Sequence, residues 1–145
     1  MSNYQTILLA SDLSDESSVV NRRAKAISDN NHAQLHIIHV IEPMSFAYGG
    51  DIPMDFTDIQ NEIEKQVRSQ VEALGNELSV DKDKQHVVLG RPEAEVHQLA
   101  EELQADLIIV GSHGRHGLAL LLGSTANGVL HGAKCDVLAV RVNED

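Results

Sequence analysis

Residues Leu107 to Thr125 read LIIVGSHGRHGLALLLGST, and the interpretation of the whole chain starts from this stretch. Its first four residues, Leu107 to Val110, form an apolar run typical of a buried strand, and a helical pattern follows Thr125. The glycines between them fall where a strand gives way to a loop and a helix begins. Backbone N–H groups and the helix dipole at such a place favour an anion. The stretch therefore predicts a phosphate-binding loop, and a nucleotide is the first ligand to consider.

The glycines have a plainer interpretation as well. Gly111 could simply end a strand, and Gly123 could permit a turn before an N-capping Ser124 or Thr125. Four glycines within thirteen residues, next to three hydroxyl side chains, favour the functional interpretation. The loop is not a P-loop, because no Lys follows Gly123. It is not the dinucleotide fingerprint either, since that motif opens a tighter turn near the first strand.

Composition limits the class of protein. The chain has 145 residues with 42% hydrophobic content, enough for one domain with a buried core. Its 11 basic and 22 acidic residues give a net charge of -11, so neither nucleic acid nor an anionic membrane is an expected partner. The apolar runs are too short to span a bilayer and the N-terminus lacks signal-peptide features, so we expect a cytoplasmic protein. The single Cys135 excludes an internal disulfide and is expected to be a half-buried small residue.

Strand-like and helix-like patterns alternate along the chain. The apolar runs predict five strands, at Thr6 to Ala10, Leu35 to Ile41, Gln85 to Leu89, Leu107 to Val110 and Val137 to Val142. Between them we expect four helices. The first is capped by Ser14, with Asp15 and Glu16 in its first turn, and the second is long, with an apolar stripe from Phe56 to Leu78. The third follows the turn Gly90-Arg91-Pro92, and the fourth is marked by Ala126, Val129, Leu130 and Ala133.

This alternation predicts the fold class. It is an α/β fold: a doubly wound, mainly parallel five-stranded sheet with helices on both faces, Rossmann-like in outline. Ligands of such sheets bind beyond the carboxyl ends of the strands, where the connections change direction. Three elements are expected to converge there: Ser11-Asp12 after the first strand, Val40-Ile41 at the end of the second, and the glycine loop after the fourth.

Five motifs carry a resemblance to a known family. They are ILLASDLS from Ile7 to Ser14, HVIE from His39 to Glu42, GRP from Gly90 to Pro92, ADLIIVGSHG from Ala105 to Gly114 and CDVLAV from Cys135 to Val140. Each is a modest signal by itself, whereas their order and spacing together are specific. The chain resembles the universal stress protein family over essentially its whole length, as one domain of residues 1–145.

The resemblance implies a homodimer formed through the last strand and, in one branch of the family, an ATP site. By motif, Asp12 would lie near the ribose and adenine, and the backbone of Val40 would recognise the adenine edge. The glycines, Ser124 and Thr125 would hold the phosphates together with Mg²⁺ or Mn²⁺. His113 and Arg115 are further candidates for phosphate contact, because Arg115 is one of few cations near the loop. The candidate binding residues are Ala10, Ser11, Asp12, Val40, Gly111, Ser112, His113, Gly114, Arg115, Gly123, Ser124 and Thr125.

One departure from the nucleotide-binding branch concerns loop length. That branch keeps nine residues between its second and third glycines, whereas Arg115 to Leu122 makes eight here. The shorter loop could misplace a phosphate-binding amide by one residue. The other branch lacks these glycines and is not expected to bind ATP, so this chain resembles the binding branch in residue identity and departs from it in spacing.

These observations lead to one expected function and two alternatives. We expect a cytoplasmic homodimer that binds an adenine nucleotide (ATP, ADP or AMP) and signals to an unidentified protein partner during stress. No catalytic residue is assigned, because no placed base, P-loop lysine or nucleophile constellation occurs, although slow ATP hydrolysis stays open. A dimeric interaction module with an empty or vestigial site is the alternative, and an ATP-using transferase is the weakest. The eight histidines are scattered without a His-Glu-x-x-His motif, so no metal ligand is expected among them.

Overall fold

The computed structural model describes residues 3–14, 17–42, 57–112 and 124–141, and these form a sheet flanked by helices. The strands are β1 (Thr6–Ala10), β2 (Gln34–Ile41), β3 (Gln85–Leu89), β4 (Leu107–Ser112) and β5 (Asp136–Arg141). All neighbouring strands pair in parallel, in the order β3-β2-β1-β4-β5. The predicted doubly wound parallel sheet is therefore confirmed.

Four α-helices connect the strands in the described residues. They are α1 (Ser18–Asn31), α2 (Thr57–Leu78), α3 (Pro92–Leu103) and α4 (Ser124–Gly132), and a 3₁₀ turn at Lys82–Lys84 precedes β3. The chain moves outward from β1 to β2 and β3, then returns to the other side of β1 for β4 and β5. Because crossovers in parallel sheets keep one hand, this reversal places the two pairs of helices on opposite faces.

The apolar side chains form one layer on each face of the sheet. On the α1 and α2 face, strand residues such as Ile7, Leu9 and Ile37 pack with Val20 of α1 and Val71 of α2. On the other face, Leu8, Ile38, Ile108 and Val110 pack with Val96 of α3 and Val129 of α4. Strand residues alternate between the two layers, so the central strands are buried on both sides and read as continuous apolar runs.

The start of α1 differs from the prediction. The helix begins at Ser18 with Ser17 as its N-cap, not at Ser14. Ser17 donates from both N–H and Oγ to the Ser14 carbonyl, at 3.1 and 2.7 Å, which adds a turn between Ser14 and the helix. Ser14 is instead bound to Asp12, so its side chain belongs to the preceding loop. The predicted first-turn acids Asp15 and Glu16 lie outside the described residues.

Other boundaries shift by a residue or two. β4 continues to Ser112, so Gly111 lies inside the strand, opposite Val140, and does not end it. β5 spans Asp136–Arg141, and the predicted Val142 lies outside the described residues. Leu130 of α4 is 45% exposed and does not belong to the core stripe that was expected to include it. Phe56 at the start of the long apolar stripe is also outside the described residues.

Candidate functional site

The candidate site lies where the connections of the sheet change direction. β1 is flanked by β2 on one side and β4 on the other, and the chain leaves β1 toward β2 but reaches β4 only after β3. Helices α1 and α4, which follow β1 and β4, lie on opposite faces of the sheet, and a doubly wound sheet has its ligand crevice at such a switch point, beyond the carboxyl ends of the strands. Ser11 and Ser112, the residues at those two strand ends, are both buried, at 7% and 9% exposure.

The peptide groups around Ser11 are held by β2. The Ser11 N–H donates to the Ile38 carbonyl at 3.0 Å, and His39 Nδ1 lies 2.7 Å from the Ser11 carbonyl oxygen. Since a carbonyl only accepts, His39 Nδ1 carries the proton in this contact. Ser11 is thus fixed on both its N–H and C=O sides, and the residue that follows it, Asp12, leaves β1 from a rigid position.

The loop after Ser11 is ordered by short side-chain contacts. Leu13 has a φ of 61°, a left-handed conformation that is rare for a bulky residue, and its N–H donates to Ser11 Oγ at 3.1 Å. Asp12 Oδ1 accepts from the Ser14 N–H at 2.9 Å and from the Ser14 Oγ–H at 2.7 Å. The exposed Asp12 carboxylate is therefore oriented by its own loop. Strained, over-determined loops of this kind are frequent at binding sites.

The carboxyl end of β2 is joined to β3 by a tight contact. Val40 is half-buried in β2, opposite Val88, and the neighbouring Ile41 carbonyl accepts from the Gly90 N–H at 3.0 Å. Gly90 has a φ of 153°, and a Cβ at this position would lie 2.6 Å from Glu95 Oε2 in the first turn of α3. The φ value favours glycine here, whereas the Glu95 side chain can shift to relieve the contact. The place of glycine in the Gly90-Arg91-Pro92 motif thus has a structural cause.

The structure brings together six of the sequence-predicted site residues at one edge of the sheet. These are the residues on β1, β2 and β4 or directly after β1: Ala10, Ser11, Asp12, Val40, Gly111 and Ser112. Ser124 and Thr125 begin α4, which follows the loop after β4. Four further predictions, His113, Gly114, Arg115 and Gly123, lie outside the described residues. The assignment of nucleotide contacts to this set stays a prediction.

Sequence reasoning missed two histidine contacts made by residues of β2. One is the bond from His39 to the Ser11 carbonyl, which links residues 28 positions apart. The other joins His36 Nδ1 and His86 Nε2 at 3.1 Å, across 50 positions, with the rings stacked at a centroid distance of 5.4 Å. The sequence indicates only which face of its strand each side chain occupies. This information predicts the contacts once β1, β2 and β3 are known to be neighbours.

The environment of the His36–His86 pair favours the neutral form of both rings. His36 is 8% exposed and His86 is half-buried, on the sheet face that α3 covers. Burial lowers the pKa of His36, and His86 and Lys84 lower it further while Asp83 opposes them. Burial also lowers the pKa of His86, against Asp83 and Glu102. A neutral pair with one shared N–H is the consequence.

Cys135 lies at the opposite, amino-terminal edge of the sheet. It is half-buried, as expected, and lines a cavity of about 100 Å³ with Ala100, Ala105 and Ile108. Burial, followed by the charges of Asp136 and Asp106, raises the pKa of its thiol. A raised thiol pKa lowers the fraction of nucleophilic thiolate, which fits a packing residue.

Two classes of feature are absent from the part of the chain that the structure describes. No group of three or more His, Cys, Asp or Glu side chains there is placed to hold a metal ion. None of the helices described is both long enough and apolar enough to cross a membrane.

The fold and the crevice define a class: a doubly wound α/β protein with a rigid polar loop at the switch point of its sheet. The sequence profile described as "Universal stress protein family" matches residues 3–141, so the chain belongs to this family. Universal stress protein A homolog 1 of Coxiella burnetii is 44% identical over 144 residues, covering 98% of this chain and 99% of the relative.

Solved structures agree with this assignment. The structure of hypothetical protein MJ0577 superimposes with a TM-score of 0.80 at 24% identity, covering 99% of this chain and 100% of that one, and so supports the fold. A crystal structure of a universal stress protein in complex with cAMP is 27% identical, with a TM-score of 0.62, covering 98% of this chain and 100% of that one.

Proposed function

We propose that this protein is a homodimeric stress-response regulator that binds an adenine nucleotide at the crevice between β1 and β4. The observation that carries the proposal is the rigid β1–α1 loop. His39 and Ile38 hold the Ser11 peptide at 2.7 and 3.0 Å, so the Asp12 carboxylate projects from a fixed point at the switch point of the sheet. A preorganised carboxylate at such a place suits the hydroxyls of a ribose.

The neighbouring groups suit the remainder of a nucleoside. The backbone of Val40, on the strand beside β1, can offer a carbonyl and an N–H to the adenine edge. A solved relative is described as a complex with cAMP, an adenine nucleotide with one phosphate. We therefore propose ATP as the ligand and include ADP, AMP and cAMP as competitors, since all four share the adenosine group.

The phosphates are assigned to the glycine loop that follows β4. β4 ends at Ser112, beside the carboxyl end of β1, and α4 begins at Ser124. Backbone N–H groups of the loop and the positive end of α4 favour an anion. Mg²⁺ or Mn²⁺ would enter with the phosphates, because the ligand brings the oxygens that these ions prefer.

Binding is proposed to serve regulation more than turnover. In the described residues around the crevice, the oriented side chains are Ser11, Asp12 and His39, and His39 is engaged with the Ser11 carbonyl. Efficient hydrolysis needs a base placed to activate water, and this set assigns none. Slow hydrolysis stays compatible with a Mg²⁺-loaded site. A location in the cytoplasm, and a protein partner that senses the bound state, complete the proposal.

The dimer is proposed to form through β5. β5 is an outer strand of the sheet, so one row of its backbone N–H and C=O groups has no partner strand among the residues that the structure describes. Leu138 packs with the α1 and α2 layer, and Val137 and Ala139 with the opposite layer. Both faces of β5 are thus used internally, and the open edge is what a two-fold related copy would cover.

The direct test is thermal unfolding with and without nucleotide. ATP with Mg²⁺ should raise the melting temperature, because a ligand that binds only the folded state stabilises it by mass action. At a concentration about a hundred times the dissociation constant the gain is ~2.7 kcal/mol. A melting curve that is unmoved by millimolar ATP, ADP, AMP and cAMP would instead favour an interaction module with an empty site.

Two substitutions separate the parts of the site. Gly114→Val should abolish binding with the fold intact, because a branched side chain occupies the space where phosphate oxygens would approach the backbone. Asp12→Asn keeps an oxygen acceptor for the Ser14 turn but removes the charge, and should weaken ATP binding less than Gly114→Val. Asp83→Asn is a matched control, since it makes the same charge change in the turn before β3, at the opposite edge of the sheet. Full ATP affinity in the Gly114→Val protein would mean that the phosphates bind elsewhere.

A further inference from the structure

The His36–His86 pair brings two imidazole nitrogens together at a distance from the crevice. Parallel pairing sets Ile38 opposite His86, and His36 lies two residues before Ile38, so both imidazoles project from the same face of the sheet. Their nitrogens, Nδ1 of His36 and Nε2 of His86, approach to 3.1 Å. The pair sits near the amino-terminal ends of β2 and β3, whereas the proposed nucleotide site lies at the carboxyl ends of the strands.

The nitrogen spacing matches that of two ligands on one metal ion. Imidazole nitrogens bind Zn²⁺ at about 2.0–2.1 Å. Two such bonds that end on nitrogens 3.1 Å apart enclose an angle of roughly 98° at the metal. This value falls between the right angle of square-planar or octahedral sites and the tetrahedral angle. An ion could therefore bind without separating the strands, once the ring that donates the shared N–H changes tautomer, so that its proton moves to its other nitrogen, and both rings rotate to direct their lone pairs at the ion.

The surroundings favour neutral imidazole ligands and a cation. Burial lowers the pKa of both histidines, so at neutral pH their lone pairs are not blocked by a second proton. Neutral imidazole is the form that binds metals. Asp83 and Glu102 act on His86 as negative charges, and the whole chain carries a net charge of -11. Lys84 opposes the cation, although its ammonium lies 3.9 Å from the Asp83 carboxylate.

We propose that His36 and His86 together bind one divalent transition-metal ion of the class that prefers imidazole, Zn²⁺ or Cu²⁺, with water completing its coordination. The described residues offer no third ligand already in place, so this site is open and weaker than a structural zinc site with four protein ligands. Binding would replace the hydrogen bond between His36 of β2 and His86 of the outer strand β3 by a metal bridge. It is independent of the nucleotide and would stabilise the outer edge of the sheet by mass action.

The test measures metal binding to the full chain in the absence of nucleotide. Equilibrium dialysis against Zn²⁺ should give one bound equivalent that His86→Gln weakens by at least about tenfold, since even losing an outer hydrogen-bond partner of a metal ligand costs that much. His131→Gln is the matched control, because His131 is exposed on α4, and it should bind like the wild type. Equal Zn²⁺ binding by His86→Gln and wild type would overturn the proposal.

A second measurement does not depend on a variant that folds. One equivalent of Cu²⁺ added to the wild-type chain should give an electron spin-echo modulation pattern from two equatorial imidazoles. A pattern from one imidazole, or from aqueous Cu²⁺, would overturn the chelate. Cu²⁺ should also displace Zn²⁺ bound beforehand, because imidazole nitrogens bind Cu²⁺ more tightly, and Zn²⁺ that stays bound while Cu²⁺ gives the two-imidazole pattern would count against a shared site.

Discussion

The bond from His39 to the Ser11 carbonyl is the contact whose removal should most directly test the preorganised loop. His39→Leu replaces the ring by an apolar side chain of similar size and deletes the donor that lies 2.7 Å from the carbonyl oxygen. Ser11 is only 7% exposed, so water cannot fully replace the lost partner. Leaving a buried acceptor unsatisfied costs about 1–3 kcal/mol. In a chain of 145 residues this corresponds to a lower melting temperature by about 3–10 °C.

The same substitution should also weaken ATP binding, because Asp12 follows directly from the loosened Ser11 peptide. His39→Asn is the control, since the Asn side-chain amide can place an N–H close to the position of the imidazole Nδ1–H. Thermal unfolding followed by circular dichroism gives the stability change, and isothermal titration calorimetry with ATP and Mg²⁺ gives the affinity. The reasoning fails if His39→Leu melts within 1 °C or so of the wild type, or if it binds ATP as tightly as His39→Asn does.

Three further outcomes follow from other contacts. Because the pKa values of His36 and His86 are lowered in the folded state, the unfolded chain binds more protons than the folded chain below about pH 6.5. The free energy of unfolding should therefore fall as the pH drops below that value and level off below the folded-state pKa values. Urea unfolding should show a shallower pH dependence of this free energy in a variant with both histidines replaced by Gln. Ala139→Pro in β5 should shift the sedimentation profile from dimer toward monomer. Val87→Pro in the opposite outer strand β3 is the control and should leave the dimer intact. The reverse pattern would show that the interface is formed by β3. Gly90→Ala should lower the free energy of unfolding by about 1 kcal/mol or more, because the φ of this residue disfavours a side chain and because the new Cβ would contact Glu95. Adding Glu95→Ala should restore only the part of this loss that is due to the contact, as measured by chemical denaturation.

Local pattern was enough to predict the elements of the fold. The run Thr6 to Ala10 and the run Gln85 to Leu89 match β1 and β3 to the residue. The match of β1 has a physical reason, because a strand buried on both faces needs continuous apolar sequence. The alternation of such runs with amphipathic helices permits few arrangements other than a parallel doubly wound sheet. The motifs that carry the family resemblance sit at strand ends, where backbone geometry restricts which residues fit. The sequence by itself therefore determined the class, the sheet and the edge at which Ser11 and Asp12 meet β4.

Tertiary contacts decided what the pattern could not. The N-cap of α1 is Ser17 and not Ser14, because the Ser14 hydroxyl and amide both donate to the Asp12 carboxylate. Composition alone does not distinguish Ser14 from Ser17 as the cap. The partners of His39 and His36 lie 28 and 50 residues away along the chain. The periodicity of a sequence indicates local structure and does not indicate contacts at such separations. These contacts exist because parallel pairing sets β2 between β1 and β3 in one register, and register is fixed by the burial of both faces of the assembled sheet.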